Sequence, residues 1–405
     1  MTLAFLMGKR KQEVRFMNDC FDCVVNRSNN FAAKVEESVL HYGTNDLIPL
    51  WIADMDFPTA KPITDAIIRR AQQGIYGYTY RPDAYFETIA AWQKRRNGWQ
   101  ADPAKMAFAP GVIPGMRLYL QLFTNPEDKC IIQQPVYHPF ADILQNTGRT
   151  MLVNPLKEEN GYYTMDLEDL EEKAKEGAKY LILCNPHNPV GRSWKKEELE
   201  QVADLCLRYG IEVLSDEIHG DLMLFGHRHT PFASLSEEVA KITTTFTAPS
   251  KTFNLAGLQS STIHFADEAK KERYIKTLKE MDIARNNCFS LVATMAAYEE
   301  GEGWLEELKT YLEGNMNDLE QFFQQELPQV KFLKPECTYL AWLNFNGLGY
   351  SADEVKRRLV EKAKVGLSDG REFGFGGEGY FRLNAATPRV ILERACAQIK
   401  EAMTM

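Results

Sequence analysis

The chain has 405 residues, of which 44% are hydrophobic and 25% are charged, and its formal net charge at pH 7 is −9. This profile is typical of a soluble globular protein long enough for two domains. The acidic charge argues against a nucleic-acid-binding surface, and no apolar run approaches the roughly 18 residues that a bilayer-spanning helix needs.

The first residues, MTLAFLM, are apolar, but their basic flank follows them, which is the reverse of a secretory signal. We therefore expect residues 1–16 to be a poorly ordered extension, with Met17 as an alternative start. The eight cysteines are scattered, which favours the reduced thiols of a cytoplasmic protein over a disulfide framework. Cys20 and Cys23 form a CxxC pair without a second pair at zinc-binding spacing, so no metal site is predicted.

Strand and helix patterns alternate from about residue 60 to 290, which predicts parallel βαβ units. The predicted fold is therefore α/β, with a large domain of mostly parallel sheet (61–289) covered by helices on both faces. Both ends of the chain, 17–60 and 290–405, are predicted to form a smaller α+β domain. The predicted elements of the second half are helices over 267–300 and 303–326, a strand over 338–343, a helix opened by Ser351 and Glu354, a strand near 379–384 and a last helix from about 388.

A phosphate-binding turn is predicted after the strand at 106–109. Gly111, Val112 and Ile113 lead into a helix expected over 116–123, and the free N–H groups of a helix start attract an anion. Tyr137 follows the next predicted strand, 130–133, and could stack on the ring of a cofactor. Taken alone, Tyr137 is equally a half-buried aromatic residue in a proline-rich turn.

Three predicted strands each end at a polar residue: 180–184 before Asn185, 211–215 before Asp216, and 241–246 before Ser250 and Lys251. Ligands bind at the carboxyl edge of such sheets. Pyridoxal 5′-phosphate (PLP) needs a lysine for an imine, an acid beside its ring nitrogen and a donor near its phenolic oxygen. Singly, these residues are more often a surface lysine, a helix cap and a turn former. Their order along the chain favours a PLP site.

Two neighbouring residues extend this site. His219 could bond the phenolic oxygen, and Ser250 could donate to the phosphate. The glycine-rich segment 374–379 looks like a dinucleotide-binding loop, but it precedes a strand, whereas that fingerprint must follow one. A flexible loop near the active site is the expectation there.

Taken together, the Gly111 turn, Tyr137, the sequence NPHNP from Asn185, Asp216, Lys251 and Arg382 resemble the fold-type I PLP enzymes of the class I/II aminotransferase superfamily. Within it the chain looks most like the MalY/PatB group of cystathionine β-lyases, or cysteine C–S lyases. The matching segments are WIADMDF at 51–57, YGY at 76–78, SDEIH at 215–219 and SKTFNLAG at 250–257.

This resemblance implies that Lys251 forms the imine with the cofactor and that Asp216 pairs with its pyridine nitrogen. Asn185 is implied to bind on the phenolic oxygen side and to contact substrate, while Tyr137 stacks on the ring. The remaining cofactor contacts are expected from Gly111, Val112, Ile113, His219 and Ser250.

The resemblance further implies that Arg382 binds the substrate α-carboxylate, with Asp54 as a second substrate contact. The family's homodimer brings a tyrosine of the neighbouring subunit to the phosphate, and Tyr78 is the matching position. His219 and Gln259 stand where typical aminotransferases carry a tyrosine and an arginine, and both changes fit the lyase group better.

The function implied is β-elimination from L-cystathionine or a related L-cysteine S-conjugate, which gives a thiol, pyruvate and ammonia. Transamination of an L-amino acid uses the same residues and stays open as an alternative. A third possibility is a regulatory protein that acts through protein contact on the same scaffold.

Overall fold

The computed structural model describes residues 21–404, so the expectations for residues 1–16, Met17 and Cys20 lie outside the described residues. Six cysteines are free thiols. Cys23 is disulfide-bonded, so the expectation of reduced thiols throughout was wrong at that position. No helix within residues 21–404 is long and apolar enough to span a membrane.

The structure is built from short strands and longer helices. The strands, in chain order, are β1 (Ile48–Pro49), β2 (Met106–Ala109), β3 (Lys129–Ile132), β4 (Thr150–Val153), β5 (Lys157–Glu159), β6 (Tyr162–Thr164), β7 (Ala178–Cys184), β8 (Glu212–Asp216), β9 (Thr243–Thr247), β10 (Ser261–His264), β11 (Lys331–Phe332), β12 (Leu340–Asn344), β13 (Val365–Gly366), β14 (Ser368–Asp369) and β15 (Tyr380–Asn384). The helices are α1 (Ala33–Glu36), α2 (Ser38–Tyr42), α3 (Lys61–Gln72), α4 (Asp83–Asn97), α5 (Val112–Phe123), α6 (Pro139–Asn146), α7 (Leu167–Lys175), α8 (Lys196–Tyr209), α9 (Glu237–Ile242), α10 (Pro249–Thr252), α11 (Glu268–Glu280), α12 (Cys288–Glu300), α13 (Glu302–Glu326), α14 (Ala352–Arg357) and α15 (Arg389–Thr404).

A seven-stranded sheet in the order β2-β10-β9-β8-β7-β3-β4 forms the centre of the molecule. Neighbouring strands are parallel except at β10, which is antiparallel to both β2 and β9. Strand β7 is a nearly continuous apolar run because helices cover both faces of a parallel sheet. The α/β fold and the mostly parallel sheet predicted from the sequence are confirmed.

The predicted strands at 106–109, 180–184, 211–215 and 241–246 correspond to β2, β7, β8 and β9, with ends that differ by two residues or fewer. The single helix predicted over 267–300 was wrong, because the chain forms α11 and α12 with a break between them. Asp282 adopts a left-handed φ of 57° in this break. The side chain of Asn287 then caps α12 by accepting the N–H groups of Phe289 and Ser290.

A second, four-stranded antiparallel sheet has the order β11-β12-β15-β14. The N-terminal region joins this C-terminal part through the parallel pair β1–β13 and through a shared core that includes Leu50, Leu340 and Phe381. Ser351 caps α14 by accepting the Glu354 N–H, as predicted. The domain limits 17–60, 61–289 and 290–405 remain a prediction.

Candidate active site

A cavity of about 200 Å³ opens at the carboxyl ends of β7, β8 and β9. Eight of the predicted site residues line it together with Ala53, Asn188, Gln259 and Ser260. These eight residues are Gly111, Val112, Ile113, Tyr137, Asp216, His219, Ser250 and Lys251. The sheet therefore gathers, at one edge, most of the side chains that the sequence pattern singled out.

Lys251 lies in α10, directly after β9, and its Nζ donates to the backbone carbonyl of Ala53 at 2.6 Å. Burial lowers the pKa of Lys251 to about 8, repulsion from Arg382 lowers it further, and attraction to Asp54 and Asp216 opposes this. Neutral amine is therefore accessible near neutral pH, as a nucleophilic or basic lysine requires.

Asp216 is the last residue of β8 and is only 4% exposed. The Ile218 N–H donates to its Oδ1 at 3.1 Å. Burial raises the pKa of Asp216 to about 7, against the stabilising effects of the Ile218 N–H and of Lys251. Because burial disfavours the ionised form of this carboxyl group, a ligand that brings a positive charge or an N–H donor to it would stabilise that form.

His219 is buried, and its Nδ1 has no hydrogen-bond partner among the described residues. Burial lowers the pKa of His219 to about 3, with further repulsion from Lys251 and Arg382, so the imidazole is neutral. A buried ring nitrogen without a partner is costly, and a polar ligand atom in the cavity would satisfy it.

Arg382 is a buried guanidinium on β15 that donates to Asn188 Oδ1 at 3.0 Å, to the Trp51 carbonyl at 3.1 Å and to Ser368 Oγ at 3.3 Å. Its Nε has no partner, and no carboxylate of residues 21–404 forms an ion pair with it. Burial lowers the pKa of Arg382. Since a buried charge without a counter-ion is expensive, this geometry prepares a site for an anionic ligand.

Two asparagines follow β7, and the structure distinguishes them. Asn185 does not line the cavity, because its amide is turned away and donates to the Thr230 carbonyl at 2.9 Å. Asn188 lines the cavity and accepts from Arg382. Asn188, which the sequence reasoning missed, therefore faces the cavity, while a ligand contact at Asn185 stays a prediction.

Asp54 also lies outside the cavity lining. Its carboxylate pairs with Arg27 at 2.7 Å and lies 3.5 Å from the ammonium of Lys34. Burial opposes ionisation of Asp54, but the hydrogen bond from Arg27 and the charge of Lys34 hold its pKa below the ordinary value. The Asp54 carboxylate is thus paired with two cations outside the cavity lining, and its contact with substrate stays a prediction.

Tyr78 is 96% exposed and does not line the cavity of its own chain. The guanidinium of Arg285 lies 5.7 Å from its ring centroid. The hydrophobic side chains around Tyr78 are also exposed, namely those of Ile75, Tyr76 and Tyr80. Such a run of exposed apolar and aromatic residues is typical of a surface that another chain covers.

The helix that follows the predicted phosphate-binding turn is α5, which begins at Val112 rather than at 116 as predicted. The first N–H groups of a helix lack acceptors within the helix, and Gly111, Val112 and Ile113 at the start of α5 line the cavity. Gln259 and Ser260 line the same cavity. No arginine or second lysine belongs to this lining among the described residues.

The glycine-rich segment at 374–379 lies against the chain that leads to Tyr137. The Phe375 N–H donates to Gln134 Oε1, and a Cβ at Gly374 would overlap that glutamine side chain. The ring of Phe373 lies 4.8 Å from the guanidinium carbon of Arg382. The segment is therefore near the site, as expected, while its flexibility stays a prediction.

Residues 45–399 match the family model described as aminotransferase class I and II. The chain is 44% identical to cystathionine beta-lyase PatB of Bacillus subtilis (strain 168), over 95% of this chain and 100% of that protein. It is 30% identical to protein MalY of Escherichia coli (strain K12), over 95% of this chain and 98% of MalY. The solved PLP-bound C–S lyase of Staphylococcus hominis is 32% identical with a TM-score of 0.88, covering 95% of this chain and 98% of that one.

Proposed function

We propose that this chain is a PLP-dependent carbon–sulfur lyase. It belongs to the aminotransferase class I and II family, in the group of PatB and MalY. Its substrates are L-cystathionine or related L-cysteine S-conjugates, and its products are a thiol, pyruvate and ammonia. One observation carries the proposal: the Lys251 amine, the Asp216 carboxyl and the α5 start line one cavity. Beside it lies Arg382, which has no ion-pair partner among residues 21–404.

The residues of the cavity fit PLP in their chemistry. Asp216 would hold the proton on the pyridine nitrogen, and the α5 start with Ser250 would hold the phosphate. The partnerless Nδ1 of His219 supports a contact with a polar edge of the ring, and Tyr137 would pack on its face. PLP, when bound there, supplies an electron sink that stabilises negative charge at the substrate Cα.

Lys251 has two tasks in this proposal. Its amine would hold the cofactor, and as a free amine it would remove the Cα proton of the bound substrate. A pKa of about 8 keeps part of the amine neutral at physiological pH, which both tasks require. The electron pair released at Cα then expels the β-sulfur as thiolate, and the remaining three-carbon fragment hydrolyses to pyruvate and ammonia.

Arg382 and Asn188 orient the substrate. The substrate α-carboxylate would be the counter-ion that the buried guanidinium lacks among residues 21–404. Asn188 joins Arg382 to the cavity, so its amide would contact both the substrate and the phenolic side of the cofactor. We therefore assign to Asn188 the role first expected of Asn185. The carboxylate of Asp54 acts on the charge of Lys251 from outside the cavity lining.

We further propose a homodimer in which Tyr78 of one subunit completes the phosphate site of the other. Within residues 21–404 the cavity lining contains Gln259 but no arginine near the α5 start, so an additional donor to the phosphate is useful. The exposed segment around Tyr78 provides that donor and a surface for association. A cytoplasmic location is proposed on the basis of the six free thiols.

Transamination is the second candidate, since the family model itself is described by that activity. The two reactions are separated by incubating the PLP-loaded protein with L-cystathionine, first alone and then with an oxo-acid. A lyase releases pyruvate in both cases at the same rate, whereas an aminotransferase forms product only when the oxo-acid is present. A purely regulatory protein would keep its function in the Lys251→Ala variant, which a lyase cannot.

A further inference from the structure

The backbone of residues 51–55, which bends over residues 52–54 and is here called the carbonyl segment, touches both cationic groups of the site. The Trp51 carbonyl accepts from Arg382, and the Ala53 carbonyl accepts from Lys251. The carbonyls between and after them, of Ile52 and Asp54, both accept from the side-chain amide of Asn384. Alternate carbonyls therefore face the active site, and the other set is fixed by one buried asparagine.

A cluster of charges holds the same segment from the N-terminal side. The Lys34 ammonium, which is 0% exposed, donates to the Asp54 carbonyl at 3.2 Å and to Asp56 Oδ1 at 3.0 Å. Arg27 binds the carboxylates of both Asp54 and Asp56. Farther along, the Asn254 amide donates to the Met55 carbonyl at 3.0 Å. The segment is thus immobilised by contacts that avoid the cavity.

The Ala53 carbonyl has a second donor. The hydroxyl of Tyr339, a residue that is 0% exposed and immediately precedes β12, donates to it at 2.9 Å. With Lys251 Nζ at 2.6 Å, both lone pairs of this oxygen are used. Lys251 therefore meets a carbonyl whose position and acceptor strength are set by a tyrosine that does not line the cavity.

We propose that the carbonyl segment and Tyr339 form a positioning frame that fixes the Lys251 amine relative to the Arg382 guanidinium. The inference rests on the proposed function, in which Arg382 anchors the substrate carboxylate and Lys251 removes the Cα proton. One piece of backbone spans both groups, so the distance between carboxylate anchor and base is set before substrate binds. Tyr339 is a positioning residue, since it acts on Lys251 only through the Ala53 carbonyl.

The frame also affects the protonation of Lys251. The charged and titratable groups that act on its ammonium are Arg382, Asp54, Asp216 and the neutral His219. If the Tyr339 hydroxyl is removed, the Ala53 oxygen keeps one donor and becomes a stronger acceptor for the Lys251 ammonium. The protonated amine is then favoured, so a higher pH is needed to obtain the neutral amine.

The test uses the Tyr339→Phe variant and follows imine formation, by stopped-flow absorbance, when PLP is added to cofactor-free protein over a range of pH. The pH at half-maximal rate should rise by about half a unit to one unit, the effect of one neutral hydrogen bond. Lys251→Ala gives the baseline without imine. Tyr380→Phe is the matched control, since that hydroxyl accepts from Asn344 and does not contact Ala53 or Lys251 within the described chain.

Steady-state kinetics of the loaded protein supply a second readout. Tyr339→Phe should lower kcat and change KM less than about twofold, because Arg382 keeps its contact with Trp51. Asn384→Ala removes the hydrogen bonds to the Ile52 and Asp54 carbonyls, so it should lower kcat and raise KM together. This variant is used if Tyr339→Phe does not fold. An unchanged pH profile in Tyr339→Phe, or an equal shift in Tyr380→Phe, overturns the inference. Absence of lyase activity would leave the imine-formation profile measurable and would refute only the proposed function.

Discussion

Replacing Arg382 by lysine tests the anion site, because the variant keeps the charge and removes the fork of N–H donors. Three of the five guanidinium N–H donors bind Asn188, Trp51 and Ser368, so two remain for a carboxylate. A charge-assisted hydrogen bond contributes about 1.5–3 kcal/mol, so losing one of the two should lower kcat/KM by about 10- to 150-fold. The loss should lie mostly in KM, since Arg382 binds a part of the substrate that does not react.

The assay is pyruvate release from L-cystathionine over a range of substrate concentrations. Arg389→Lys is the control, because Arg389 is 39% exposed and pairs with Asp318 at the surface, and it should leave kcat/KM within about twofold. A cysteine S-conjugate whose α-carboxylate is converted to an amide should be equally poor for wild type and Arg382→Lys. An Arg382→Lys variant with an unchanged KM would refute the assignment of the carboxylate to this guanidinium.

Three further predictions follow from the site. Asn188→Ala should lower kcat/KM at least tenfold, because Asn188 contacts Arg382. Asn185→Ala should instead lower the free energy of unfolding by about 1–2 kcal/mol in a melting experiment. The reverse pattern would refute the reassignment. Burial raises the pKa of Asp216 from 3.8 to about 7. Between pH 4 and pH 7 the folded cofactor-free protein therefore retains a proton on Asp216 that the unfolded chain loses. The free energy of unfolding should fall by at most about 4 kcal/mol over this range. Urea denaturation at several pH values should show this loss in wild type and its absence in Asp216→Asn. Mixing equal amounts of inactive Tyr78→Ala and Lys251→Ala subunits should restore about a quarter of wild-type sites. About half of the dimers are then mixed, and each mixed dimer contains one intact site. No recovery of activity would refute shared sites.

The parts of the site that could be predicted from the sequence follow buried strands. The apolar runs of β7, β8 and β9 are visible because a parallel sheet is covered on both faces, and the residue after each run must lie at the carboxyl edge. Asp216 and Lys251 were found in this way. The Gly111 turn was found because a strand, a glycine and a helix follow one another directly.

The remaining parts depend on contacts that have no local signal. The sequence repeats Asn-Pro at Asn185 and Asn188, and only the folded turn determines which amide faces the cavity. Asp54 stands in a family signature, yet Arg27 and Lys34 occupy its carboxylate. The contacts of the carbonyl segment could not be predicted from the sequence, because they use backbone oxygens, which every residue carries.

Pyruvate and free thiol should be measured together, after the PLP-loaded protein is incubated with L-cystathionine and no oxo-acid. A carbon–sulfur lyase releases both products in equal amounts over many turnovers, and its Lys251→Ala variant forms neither. Absence of both products in wild type, with amino-group transfer once an oxo-acid is added, would contradict the assignment as a carbon–sulfur lyase.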